Sequence, residues 1–137
     1  MKVKFFKCKH CGNVIVKFVD SGVPVVCCGE KMEELKANTV EASVEKHLPA
    51  LTRVNECTLK VQVGSVIHPM TPEHYIDWIF VETENGGSFI HLKGKPTPEA
   101  EFCCCKDKPV AVYEFCNLLG LWKSVVEYSS EFIYQMY

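Results

Sequence analysis

The first 36 residues carry two cysteine pairs, Cys8 and Cys11 in "CKHC" and Cys27 and Cys28 in "VCCG", with fifteen residues between the pairs. The apolar stretches around them, "KVKFF", "NVIVKFV" and "VPVV", are short and broken by Gly12, Gly22, Pro24 and Gly29. A segment this small cannot bury a core of its own, so a metal staple is the expected remedy. A C-x-x-C pair turns both sulfurs toward one point, and Gly12 lets the backbone fold closely around it. Two pairs give a four-sulfur set suited to zinc or to a single iron. Adjacent ligands such as Cys27 and Cys28 point opposite ways along a strand unless the backbone twists, so a distorted tetrahedron is expected.

The rest of the composition narrows the class. Of 137 residues, 47% are apolar and 23% are charged, as in a folded globular chain. A net charge of -2 gives no electrostatic footprint for nucleic acid or an anionic membrane, and the cluster Lys2, Lys4, Lys7 and Lys9 reads as a solvated strand face. No run approaches the ~18 apolar residues of a membrane span, and no signal-peptide core opens the chain. A cytoplasmic location is therefore expected, with the nine cysteines as metal ligands or reduced thiols rather than a disulfide framework.

From about residue 37 the texture changes. "TVEASVEKH", "ECTLKVQVG", "YIDWIFVET", "GSFIHLKG", "EAEFCCC" and "PVAVYEFC" are mostly alternating runs separated by Pro49, Gly64, Asn85-Gly86-Gly87, Gly94 and "KDKP". This spacing predicts an antiparallel sandwich with no amphipathic helix. The turn "KDKP" is expected to join strands 99–105 and 110–116 as a hairpin. That register sets Cys116 opposite about Glu99 and leaves Cys103 ~13 Å away along the strand. Cys103, Cys104 and Cys105 then read as strand thiols, and Cys57 as a buried thiol. Residues 124–137 form a C-terminal extension, either a strand or a packing arm.

Three histidines stand in distinctive surroundings, His47 in "EKHLP", His68 in "HPM" and His74 in "EHYIDW". Each alone says little. Together with Cys116 in "EFCNLLGLWK" they offer imidazole and thiolate from several loops of one sandwich, a set that can hold a borderline metal and leave an open position.

The N-terminal stretch, about residues 5 to 36, resembles desulforedoxin, a small rubredoxin-like iron module with C-x-x-C followed by C-C. In order, "EKH", "HPM-x-x-x-HYI-x-W" and "CN-x-x-GLWK" resemble superoxide reductase in its two-centre form, desulfoferrodoxin. The resemblance implies an all-β fold: a desulforedoxin-like module over residues 1–36, then an immunoglobulin-like antiparallel β-sandwich over 37–137, as a homodimer. It implies one iron held by Cys8, Cys11, Cys27 and Cys28. A second, non-haem iron would have His47, His68 and His74 as equatorial ligands and Cys116 as axial thiolate. Glu45 matches a mobile carboxylate that closes the sixth position, and Lys46 a cation that draws superoxide in. The implied reaction is one-electron reduction of superoxide to hydrogen peroxide, with a rubredoxin-like electron donor.

One position departs from the pattern. The family sequence Cys-Asn-x-His-Gly supplies a fourth imidazole, whereas here the stretch is Cys116-Asn117-Leu118-Leu119-Gly120. Leu119 has no lone pair, and neither His10 nor His91 is an evident substitute. A weakly held iron, or zinc in its place, is the expected consequence. The alternative function is an electron-transfer or metal-binding protein in which only the four-cysteine centre works.

Overall fold

A computed structural model of the chain describes residues 3–39 and 44–126. The chain divides into two compact units, Met1–Lys36 and Ala37–Tyr137. In the first, β1 (Lys4–Lys7), β2 (Val14–Lys17) and β5 (Glu33–Glu34) form a three-stranded antiparallel sheet with β1 central. Strands β3 (Val26–Cys27) and β4 (Glu30–Lys31) form a second, two-stranded ladder. The buried apolar side chains described in this unit are only Val3, Phe5, Cys8 and Met32. That supply is too small to hold a fold without a cross-link. Two lysines of the cluster form ion pairs: Lys4 with Asp20 at 3.1 Å, and Lys9 with Glu30 and Glu33 at 3.4 and 3.7 Å.

The second unit contains one helical turn, α1 (Val44–His47), and seven strands: β6 (Pro49–Arg53), β7 (Thr58–Val63), β8 (Ile76–Thr83), β9 (Gly87–His91), β10 (Glu99–Cys103), β11 (Pro109–Cys116) and β12 (Gly120–Val125). They make two antiparallel sheets, in orders β10-β7-β6 and β12-β11-β8-β9. This is the three-plus-four division of an immunoglobulin-like sandwich. Strand β7 shows why the sheets face each other: Leu59, Val61 and Val63 are fully buried, while Thr58, Lys60 and Gln62 between them are not. They meet Ile79 and Val81 of β8 and Val112 of β11. Each such side chain contributes roughly 1.5–3 kcal/mol relative to exposure.

Strands β8 and β11 do not alternate; from Ala111 to Cys116 every residue of β11 is buried. On the face turned away from the core, Trp78 stacks on Phe115 with ring centroids 5.6 Å apart, and Phe80 meets Tyr113 edge-on at 6.3 Å. Cross-strand aromatic pairs thus cover the outer face where the sequence pattern predicts polar residues.

The "KDKP" turn is not a hairpin. Strand β10 pairs with β7, with Glu99 opposite Gln62 and Cys103 opposite Thr58, whereas β11 pairs with β8 and β12. Residues 104–108 instead cross from one sheet to the other. Cys104 N–H donates to the Cys57 carbonyl on the first sheet at 2.6 Å. At the far end, the Asp107 carboxylate accepts from the Thr83 hydroxyl at 2.5 Å and from Asn85 Nδ2 at 3.0 Å on the second. Two further expectations are corrected. Cys57 and Cys105 are joined in a disulfide, their Cα atoms 4.1 Å apart, and are not thiols. Residues 44–47, the end of the run "TVEASVEKH" read as alternating, form a helical turn. The C-terminal extension begins as strand, since β12 runs to Val125; residues 127–137 and Lys2 lie outside the described residues.

Candidate metal centres

Cys8 follows β1, and a tight turn brings Cys11 back beside it: Gly12 N–H donates to the Cys8 carbonyl at 2.9 Å, with Gly12 at φ +83. Cys27 ends β3. Cys28 has φ 52 and Gly29 φ 75, two successive left-handed residues. This is the twist that adjacent ligands require, and it turns both sulfurs toward the first pair. The four sulfurs lie within 4.8 Å of one another, Cys11 and Cys27 at 3.6 Å. Asn13 supports them, its backbone N–H donating to Cys11 Sγ at 3.4 Å and its side chain to Cys27 Sγ at 3.6 Å. The Cys11 backbone N–H draws the Cys8 thiol down to about 6, whereas Cys11 and Cys8 push the Cys28 thiol up to about 12. Four thiolates therefore resist coexistence until a cation joins them, which is the electrostatics of a metal-thiolate site.

The second group sits at one end of the sandwich. His47 closes α1, His68 and His74 lie on the connection between β7 and β8, and Cys116 ends β11. Their donor atoms all lie within 4.8 Å of one another. His68 stands between the other two rings, edge-on to His47 at 4.8 Å and to His74 at 4.5 Å, with its Nε2 3.5 Å from Cys116 Sγ. His68 Nδ1 lies 2.7 Å from the Pro69 carbonyl, so that nitrogen carries the proton and Nε2 keeps a lone pair. His74 Nε2 is buried and takes no hydrogen bond among the described residues. Burial holds the His68 imidazole down at about 4 and lowers His74 too, with smaller contributions from the neighbouring imidazoles and Lys46. These rings are neutral at pH 7 and offer lone pairs.

Burial pushes the Cys116 thiol up, while the backbone N–H groups of Leu118 and Leu119 pull it down. Those two donors belong to the backbone, so leucine at 119 keeps them. Two donors on one metal at ordinary nitrogen and sulfur bond lengths are at most about 4.4 Å apart, so the group needs to contract by only a few tenths of an ångström. The residues fit a metal. The donor set and the four-cysteine cluster are consistent with the two iron sites that the sequence resemblance implies.

The local fold explains the placement. Gly64, at φ +81, lies under the helical turn: a Cβ there would sit 2.7 Å from the Lys46 carbonyl and 2.3 Å from that of Val66. The Val66 N–H and the Ser65 hydroxyl both donate to the Glu45 carbonyl, at 3.0 and 3.3 Å. His47 then stacks on Trp122, centroids 5.0 Å apart. His74 is held by Thr71, whose hydroxyl accepts its backbone N–H at 3.1 Å, and by Asn117 beside Cys116. Sequence reasoning missed Gly64, Thr71, Asn117 and Trp122 as supports; their proximity in sequence to ligands was the available signal.

Glu45 and Lys46 are exposed on α1, and the Glu45 carboxylate is not among the four donors. Leu119 is partly buried and packs on the core cluster. His91 is exposed on β9 and His10 lies 2.6 Å from Glu30, so neither replaces the absent imidazole. Glu114, two residues before Cys116, was also missed. It is fully buried, neither carboxylate oxygen has a hydrogen-bond partner among the described residues, and burial raises its pKa well above the usual range.

Residues 39–125 match the family model described as Desulfoferrodoxin. The chain belongs to the desulfoferrodoxin family. It is 42% identical to the desulfoferrodoxin of Nitratidesulfovibrio vulgaris over 121 residues, covering 88% of this chain and 94% of that protein. The desulfoferrodoxin of Syntrophotalea carbinolica is 40% identical over 123 residues, 90% of this chain and 96% of its own. Among solved structures, the superoxide reductase from Treponema pallidum superposes with a TM-score of 0.76 at 36% identity, over 90% of this chain and 99% of that one. No described helix is long and apolar enough to cross a membrane.

Proposed function

We propose that this chain reduces superoxide to hydrogen peroxide at the group His47, His68, His74 and Cys116. The observation that carries the reading is the convergence of three imidazoles and one buried thiol, all donor atoms within 4.8 Å, in a chain of this family. That assembled group supports a working second centre over one in which only the four cysteines act. His47, His68, His74 and Cys116 would hold the iron, which would supply the single electron.

The chain's own residues do the rest. The Pro69 carbonyl fixes the tautomer of His68 so that Nε2 faces the metal position. The backbone N–H groups of Leu118 and Leu119 favour the Cys116 thiolate in a buried setting. Lys46 is exposed beside His47, and its charge reaches His68 and His74, so it draws the superoxide anion toward the group. Glu45, on the same turn, is the carboxylate that would close the open position after turnover. The balance is one superoxide, one electron and two protons to one hydrogen peroxide. A rubredoxin-like protein is the proposed donor, the cytoplasm the proposed location and a homodimer the proposed assembly.

The test is peroxide stoichiometry with anaerobic protein and a reduced donor. One hydrogen peroxide per superoxide, with no oxygen released, is expected. Half that yield with oxygen evolution, or a rate no faster than spontaneous dismutation, would overturn the reading.

A further inference from the structure

The "CCC" run is a second cysteine locality that neither metal group uses. It lies at the far end of the sandwich: His47 precedes the Pro49–Val63 end of the β6–β7 pair, whereas Cys57 precedes Thr58 at the other. The six residues of β7 between them span roughly 20 Å. Here Cys57 and Cys105 form a disulfide. The third sulfur, Cys103 Sγ, lies 3.4 Å from Cys105 Sγ.

The contact forms where the chain leaves β10, between its last residue, Cys103, and Cys105 of the connection. Cys103 and Cys105, two apart, are both exposed, while Cys104 between them is buried on the core side. Burial also raises the Cys104 thiol, so it is both shielded and a poor nucleophile. The arrangement selects one thiol of the run. An exposed thiol touching a disulfide sulfur is the starting geometry of exchange.

We infer that Cys57, Cys103 and Cys105 form a thiol–disulfide exchange site, separate from both metal groups, whose reaction partner is a small dithiol. The Cys103 thiolate attacks Cys105 Sγ; the Cys103–Cys105 bond forms, the Cys57–Cys105 bond breaks, and Cys57 leaves as a thiolate that takes a proton from water. The reverse step restores the first pairing. In either pairing one thiol is free and one disulfide carries two oxidising equivalents. A dithiol reduces that disulfide by attack, mixed-disulfide formation and ring closure, giving two protein thiols and one cyclic disulfide. The inference does not depend on superoxide turnover.

The experiment uses the full metal-loaded chain. Native thiols are alkylated with iodoacetamide over a time course, and the label and disulfides are located by tandem mass spectrometry. Two isomers are expected: label on Cys103 with Cys57–Cys105 paired, and label on Cys57 with Cys103–Cys105 paired. Limiting dithiothreitol should speed their interconversion and release both thiols of whichever disulfide it reduces. In Cys103→Ser the Cys57 label should vanish in the absence of dithiothreitol, and in Cys57→Ser a lasting Cys103–Cys105 disulfide should remain. A wild-type chain in which Cys57 is never labelled without reductant contradicts the inference. So does a chain in which all three sulfurs are labelled before any reductant is added.

Discussion

Asn117 and Tyr75 hold each other by two hydrogen bonds: the Tyr75 N–H donates to Asn117 Oδ1 at 2.8 Å, and the Asn117 N–H donates to the Tyr75 carbonyl at 3.1 Å. Asn117 Nδ2 also donates to the Glu73 carbonyl at 2.9 Å, so one side chain grips the peptide on both sides of His74. Because Asn117 follows Cys116 directly, it fixes the distance between an imidazole and a thiolate ligand. Asn117→Ala is expected to keep the sandwich and to weaken metal retention at this group about 10–100-fold. Competition with a chelator, alongside a circular dichroism spectrum, measures both. Unchanged retention would show that Thr71 alone positions His74.

The close approach at Gly64 gives a second expectation. In Gly64→Ala, the added methyl meets the Val66 carbonyl at 2.3 Å and the Lys46 carbonyl at 2.7 Å, with a left-handed backbone besides. The α1 turn must shift, taking His47 with it. A loss of about 1–3 kcal/mol in urea unfolding is expected, with lower metal content at the second group.

Leu119→His tests the missing imidazole. The position is partly buried and close in sequence to Cys116, so a histidine there has the family's spacing to the thiolate. Tighter iron retention and a shifted ferric-thiolate absorption band are expected, at a small packing cost. If neither changes, the substituted ring does not reach the group.

Asp107 supplies a pH dependence. Its carboxyl is held below the usual range, first by the Thr83 hydroxyl and then, against some burial, by Asn85 and by the Asn85 and Lys108 backbone N–H groups. A folded-state pKa below the unfolded value adds stability above the ordinary carboxylate range and loses it as pH falls. Asp107→Asn should therefore be less stable than wild type near pH 7. The difference should shrink below about pH 4 in urea titrations. A constant difference would mean that shape, not charge, fastens the two sheets.

The two donor groups were legible because their chemistry is carried by residue type: Cys8, Cys11, Cys27 and Cys28 come together in one, and His47, His68, His74 and Cys116 in the other. Strand β7 was legible because one face is wet and its alternation survives. Strand β11 was legible as a strand, but not the burial of both its faces, which an alternating run does not reveal. The "KDKP" turn misled for a topological reason. Short turns join neighbours in one sheet or carry the chain across to the other, and only the partner strand β7 decides which. The Cys57–Cys105 pairing was hidden for the same reason, since it follows from β10 lying on β7.

The proposed reaction requires that His47, His68, His74 and Cys116 hold iron without a fourth imidazole. Metal analysis of anaerobically purified protein tests it most directly, comparing wild type with Cys116→Ser and Cys28→Ser. Two iron atoms per chain are predicted for wild type, with each variant losing a different one. Zinc at the second group, or one iron in wild type that Cys116→Ser leaves untouched, would contradict it.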